Sequence, residues 1–250
     1  ENIRREYSSR SLSRKELPND PLEMVDQWLN EALETKVNEP TAMIVATATP
    51  DGRPSVRTVL LKEVVDGRFI FYSNYESRKG RQMAENPHVA VTFLWHELER
   101  QIHVEGTVTR LSPEESDAYF AMRPYKSRVG ARISPQSQPI PSREYIMMRF
   151  ASESLRFVGR EVPRPDNWGG YAALSSGRAA TVGCTTASST SSNRMATGIF
   201  TASPPDRLSS CRPPRYASSM WRSTPLIWRR RAISSSVTST PPPVRSTTTR

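Results

Sequence analysis

Cysteine is almost missing from this 250-residue chain: there are two, Cys184 and Cys211. Residues 1–170 hold none, which excludes a disulfide framework and any thiolate metal site there. Histidine is scarce too. His88, His96 and His103 form no close pair of the HxxxH kind, so packed or exposed side chains are expected and no metal. No apolar run approaches the roughly 18–20 residues that cross a bilayer as a helix, and no signal peptide opens the chain. A soluble, cytoplasmic protein without a membrane partner is the expectation.

Acidic residues are missing from one region only. From Tyr171 to Arg250 a single acid, Asp206, stands among 11 arginines and no lysine. That leaves 24 of the 35 basic and 24 of the 25 acidic side chains in residues 1–170. The formal charge of +10 therefore belongs to the last 80 residues. A basic chain suggests a nucleic-acid partner, but a neutral body argues against a specific one.

The body reads as an arm, a barrel-like sheet and helices. Residues 1–19 are charged and aperiodic, an N-terminal arm. "DPLEMVDQWLNEALETKV" carries Leu22, Val25, Trp28, Leu29 and Leu33 at helical spacing, with Asp20 as N-cap and Pro21 at the first helical position. Two Asp-Gly pairs, at 51–52 and 66–67, separate three β-rich runs and predict an antiparallel meander. "HVAVTFLWH" and "RQIHVEGTVTRLS" add two strands, and five short strands suggest a small barrel. "SPEESDAYFAMRP" reads as a helix with a capping box from Ser112 to Glu115, and "SREYIMMRFASESLRFVG" as an amphipathic helix.

Two stretches carry candidate chemistry. "RTVLLK" alternates Arg57, Val59 and Leu61 with Thr58, Leu60 and Lys62, placing cations at both ends of an apolar strand. They could reach an anion beside the sheet, but read alone they are better explained as solvated strand ends. In "FYSNYESRKGRQ" a strand ends at Tyr72-Ser73, and Arg78-Lys79 fall in the first turn of a helix. Free N–H groups and two cations at one spot suit a phosphate, although surface charge explains them too. Gln101, Gln136 and Ser137 are neutral polar groups that say little alone.

Together these stretches resemble a known family. "RREY", "EPTAM", "RTVLLK", "FYSN…SRKGRQ", "W…LERQIHVEG", "YFAMRP", "ISPQSQPI" and "WGGY" follow the order found in pyridoxine/pyridoxamine 5'-phosphate oxidases, from Arg4 to about Tyr171. The resemblance implies a mainly β fold with flanking helices, a split β-barrel of the FMN-binding type. It implies a homodimer with FMN at the interface, and oxidation of pyridoxine or pyridoxamine 5'-phosphate to pyridoxal 5'-phosphate, with O2 as electron acceptor. Carried onto this chain, Arg57, Thr58, Val59, Leu60, Leu61, Lys62, Tyr72, Ser73, Arg78, Lys79, Gln101, Gln136 and Ser137 would bind FMN. Lys62, Tyr119, Arg123 and Ser127 would grip the substrate phosphate, and Arg4 and Tyr7 would close over the substrate.

The family pattern should continue after "WGGY" through "EFWQG" and "R-x-H-D-R" to "R-L-x-P", which supply a Trp and an Arg to the flavin and an Arg and a His to the substrate. None of these is present, so no catalytic residue is assigned. Instead the chain turns to Ser, Thr and Arg, with 29 Ser plus Thr among residues 171–250. Reading the third base of each codon with the first two of the next resolves this. Ser175 through Val182 can then encode E-F-W-Q-G-G-D-S, and the following codons R-M-H-D-R, ending H-R-L-T-P and a stop at Pro205-Asp206. The expectation is a frameshift between about Gly170 and Leu174: residues 20–170 form an incomplete oxidase domain. Residues 171–250 then form a disordered basic tail that replaces the last strands.

Overall fold

Asp20 and Pro21 open the first helix as their types require. The structure, a computed structural model, describes residues 18–184 and 197–200. Helix α1 (Pro21–Glu34) is capped by the Asp20 carboxylate, which accepts from the Leu22 N–H at 2.9 Å. Its buried face holds Met24, Val25, Trp28, Leu29 and Ala32, while Leu33 is exposed, so the face is rotated slightly from the expected one.

Both Asp-Gly pairs make hairpins. The first joins β1 (Ala42–Ala48) to β2 (Pro54–Leu60), and the second joins β3 (Glu63–Val65) to β4 (Arg68–Asn74). Asp66 and Gly67 both have positive φ (51° and 72°), the backbone that a tight hairpin turn demands. The predicted meander is not formed, however. The middle run breaks at Leu61-Lys62 into β2 and β3, which are not neighbours. After helix α2 (Arg78–Glu85) come β5 (His88–Trp95) and β6 (Arg100–Arg110). Helices α3 (Pro113–Met122), α4 (Tyr125–Ile133) and α5 (Arg143–Arg156) precede β7 (Trp168–Cys184) and β8 (Thr197–Phe200).

The sheet runs β2-β1-β5-β6-β7-β4-β3, with β8 on β7. Among the described residues it has eight strands rather than the expected five. The two outer strands, β2 and β3, are consecutive in the chain, so the sheet curls on itself and the split falls between them. The Lys62 N–H donates to the Ile70 carbonyl at 2.8 Å and the Leu61 N–H to the Thr41 carbonyl at 2.8 Å, tying the connection to both sides. The inward positions Met43, Val45, Phe69, Phe71, Val91, Phe93, Ile102 and Val104 fill the core. This is the split β-barrel with flanking helices that the motifs imply.

Three local expectations need correction. The helix α4 was not read from the sequence at all. Helix α5 forms, but none of its residues is fully buried: its Phe150 packs part-buried against the cluster of Phe120, Val129, Val162 and Trp168, and polar contacts tie it to α4, Glu153 to Arg132 at 2.8 Å and the Ser154 carbonyl to the Tyr125 hydroxyl at 2.7 Å. The tail was expected to begin at residue 171, yet Tyr171, Ala172 and Ala173 are core residues, because β4 and β6 both pair with them. The strand backbone runs on to Cys184. Its ladder with β6 is regular from Arg110↔Tyr171 to Gly106↔Ser175, then slips to Val104↔Ala180. The irregularity begins where the sequence departs from the family pattern. Arg4, Tyr7 and most of the expected tail lie outside the described residues.

Helix α2 can approach the strand before it only because residue 80 is glycine. A Cβ on Gly80 would run into the Tyr75 carbonyl, which is backbone and cannot swing aside. Gly80→Ala should therefore cost about 2 kcal/mol of stability, measured by urea unfolding against Gly130→Ala, whose added methyl meets nothing within 4 Å.

Candidate functional site

A cleft of about 890 Å³ opens along β2, between it, β4, the start of α2 and the α3–α4 corner. At one end it is lined by Arg57, Arg78 and Lys79, and at the other by Lys62 and Arg123. Arg57 and Lys62 are joined by one extended run of β2 and its continuation, which spaces them by roughly 16 Å. Among the described residues, none of these five cations makes an ion pair.

Neutral oxygens hold the first cluster. Ser77 caps α2 by accepting from the Gly80 N–H at 3.2 Å. Lys79 is buried, and its ammonium donates to Ser73 Oγ at 3.0 Å, Ser77 Oγ at 3.2 Å and Gln136 Oε1 at 3.2 Å. Arg57 donates to the Val45 carbonyl at 3.1 Å, Thr47 Oγ1 at 2.7 Å and Ser55 Oγ at 2.6 Å. Burial first, and the nearby Arg57 charge second, pull the Lys79 ammonium down to about 8. Arg57 is itself lowered by burial and then by Arg78.

The second cluster sits against an aromatic slab. Tyr72 stacks on Tyr119 at 3.7 Å between centroids and on Trp168 at 5.4 Å, with the planes within 14°. The Arg123 guanidinium lies 4.4 Å from the Trp168 ring centroid, in cation–π range. Burial, then the Arg123 charge, lowers Lys62, and burial raises the Tyr72 and Tyr119 phenols, so both stay protonated donors at neutral pH.

Of the residues named from the sequence, the cleft gathers Arg57, Thr58, Val59, Leu60, Lys62, Tyr72, Ser73, Arg78, Lys79, Tyr119, Arg123, Ser127, Gln136 and Ser137. Two do not join them. Leu61 is 3% exposed and faces the core, because the strand ends at Leu60 and the alternation breaks. Gln101 is exposed on β6, opposite Leu94 of β5 and away from the cleft. Sequence reasoning missed Ser55, Asn74, Ser134 and Trp168 in the lining. Ser55, two residues before Arg57 on the same strand face, was open to discovery by alternation alone.

Fold and cleft together define a split-barrel protein whose site suits ligands that are planar in one part and anionic in two. Comparison with known proteins narrows the class. Residues 29–157 match the family described as Pyridoxamine 5'-phosphate oxidase, and the chain belongs to that family. It is 69% identical over 172 residues to a pyridoxine/pyridoxamine 5'-phosphate oxidase of Porphyromonas gingivalis, a match covering 69% of this chain and 80% of that one. It is 62% identical over 170 residues to the Bacteroides thetaiotaomicron enzyme of the same name, covering 68% and 80%. Among solved structures, PhzG from Burkholderia lata in complex with tetrahydrophenazine-1-carboxylic acid superposes with a TM-score of 0.63 at 27% identity. That superposition covers 78% of this chain and 99% of PhzG. A pyridoxamine 5'-phosphate oxidase-related, FMN binding protein from Nostoc punctiforme, at 15% identity and a TM-score of 0.50, shares the fold and covers 62% of this chain and 81% of its own.

The lowered Lys79 gives the site a pH signature. A phosphate is attracted only by the protonated amine, so affinity for inorganic phosphate should fall as pH rises from 7 to 9.5 through about 8. Unfolded, the same lysine keeps its proton up to its usual 10.5, so the ligand-free protein should gain stability between those pH values. Lys79→Met should flatten both slopes, followed by calorimetric titration and by urea unfolding at each pH.

Proposed function

We propose that this chain is built to oxidise pyridoxine 5'-phosphate or pyridoxamine 5'-phosphate to pyridoxal 5'-phosphate, with FMN as its cofactor. The observation that carries this reading is the cleft itself: two separate cation clusters that make no ion pair among the described residues, linked by one strand and flanked by an aromatic slab. Gathering five positive side chains in one half-buried cleft is unfavourable unless anions neutralise them. One phosphate on the cofactor and one on the substrate meet that requirement.

The residues present fit FMN. Arg57, Arg78 and Lys79, with Ser73, Gln136 and Ser137, would hold its phosphate and ribityl chain, and the Thr58–Leu60 segment would line the flavin. Bound FMN would supply the acceptor for a hydride from the C4' carbon, with the hydroxyl or amine losing a proton, water releasing ammonia from the imine of the amine substrate, and O2 taking the two electrons and two protons as hydrogen peroxide. Lys62, Tyr119, Arg123 and Ser127 would hold the substrate phosphate, with the phenol and hydroxyl donating and the cations supplying charge. The Arg123 guanidinium lies over the Trp168 ring, 4.4 Å from its centroid, and both residues line the cleft. Arg4 and Tyr7 would close over the substrate.

An exposed apolar face on β2, β1 and β5, which reaches the cleft at Val56 and Leu60, supports a homodimer with the cleft at its edge. Ile44, Val56, Leu60 and Leu94 are all 41% exposed or more, an apolar surface suited to a second copy. Gln101 stands on β6 beside Leu94, so it would meet that copy rather than its own cleft. A cytoplasmic location fits an enzyme of this kind.

We infer a frameshift after about Gly170 from the overlapping reading of the codons for Ser175 onward. The out-of-frame segment lacks the Trp, Arg and His that the family pattern places there, so the 250-residue chain should turn over poorly. Restoring the frame should restore oxidase activity. A repaired chain that binds FMN without turning over either substrate would instead make this a flavin-binding split barrel with no oxidase activity.

In the repaired chain, Arg123→Leu should raise KM for pyridoxine 5'-phosphate by at least about tenfold, with FMN affinity unchanged. Steady-state kinetics and a flavin-quenching titration separate the two effects; equal loss in both would place Arg123 in the cofactor half.

A further inference from the structure

Beneath the cleft, outside its lining, lies a buried polar group that no part of the proposed chemistry uses. Gln82 is on α2, three residues beyond Lys79, and is 3% exposed. Its Oε1 accepts from Thr47 Oγ1 at 2.6 Å and from Ser55 Oγ at 2.7 Å, with Arg57 Nη2 at 3.5 Å. Its Nε2 is buried and has no hydrogen-bond partner among the described residues.

The proton directions in this cluster are forced. A hydroxyl has one proton to donate and lone pairs to accept with. Arg57 can only donate, and it donates to both hydroxyls, Nη1 to Thr47 and Nη2 to Ser55. Each hydroxyl proton must therefore go elsewhere, and the Gln82 carbonyl oxygen is the near acceptor for both, since the two hydroxyls lie 3.5 Å from each other. Were the amide turned over, its NH2 would face two hydroxyls already receiving Arg57, and at most one of their protons would find an acceptor, in the other hydroxyl at 3.5 Å. The guanidinium thus selects the amide orientation, and the stranded Nε2 is the cost of it.

We propose that Gln82 is a positioning residue for Arg57: its buried carbonyl turns the Thr47 and Ser55 hydroxyls into acceptors that fix the guanidinium at the cleft wall. One helix then sets the whole anion-binding end, presenting Arg78 and Lys79 from its first turn and orienting Arg57 from its second. The consequence for ligand binding rests on the reading of the cleft as an FMN site.

Two measurements on the full chain test this, only one of which involves FMN. In the ligand-free protein, nitrogen-15 NMR of the arginine side chains should show resolved Nη signals for Arg57. They should collapse in Gln82→Met, which keeps the volume but removes the acceptor, and survive in Gln82→Glu, which keeps an acceptor. In flavin-quenching titrations Gln82→Met should raise the FMN Kd about tenfold. Added to Arg57→Ala it should have no further effect, because Gln82 acts through that side chain. Unchanged Arg57 signals in Gln82→Met would overturn the proposal, as would an effect on Kd that simply adds to that of Arg57→Ala. If the parent chain binds no FMN while the signals collapse as described, the positioning role stands and the cofactor reading fails.

Discussion

The arrangement of this protein depends on keeping five cations together in one cleft with no ion pair to any of them among the described residues. Lys79 shows the cost most plainly: its ammonium is buried among Ser73, Ser77 and Gln136, and its proton is held loosely enough to titrate near 8. Neutral oxygens solvate such a charge without cancelling it. The positive potential therefore remains available to a ligand.

The fold supplies that arrangement through two breaks in regularity. The first is at Leu61-Lys62, where the chain leaves one edge of the sheet and begins the other. Leu61 drops into the core, Lys62 turns to the cleft, and the barrel splits there. The second is the tight entry into α2. Gly80 lets the helix sit against the Tyr75 carbonyl, which brings its first turn to the cleft and Gln82 beneath Arg57. The aromatic slab at the other end is a packing device with a polar edge, burying Trp168 while leaving Tyr119 and Arg123 on the wall.

Much of this was legible in the sequence. The Asp20-Pro21 start, the Ser112–Glu115 capping box and both Asp-Gly hairpins are local signals, and local chemistry determines them. Pairing of β1 with β5 and of β4 with β7 is not local, so a meander was the natural but mistaken reading. The cation clusters were visible as motifs, yet their lack of acidic partners was not, since that depends on which side chains the fold brings near. Gln82 illustrates the same limit: nothing in "SRKGRQ" says that its glutamine is buried under an arginine from another strand. The boundary at Tyr171 failed for a related reason. Composition marks where the sequence changes character, whereas the strand continues for as long as β4 and β6 offer partners.

The most direct measurement is a paired titration of the 250-residue chain with FMN and with riboflavin, which differ by the phosphate alone. If the unpaired cations are there to hold phosphate, FMN binds at least about a hundredfold more tightly, and the difference shrinks as salt is added. Equal affinity for the two flavins, or binding of neither by the chain with its frame restored, would contradict it.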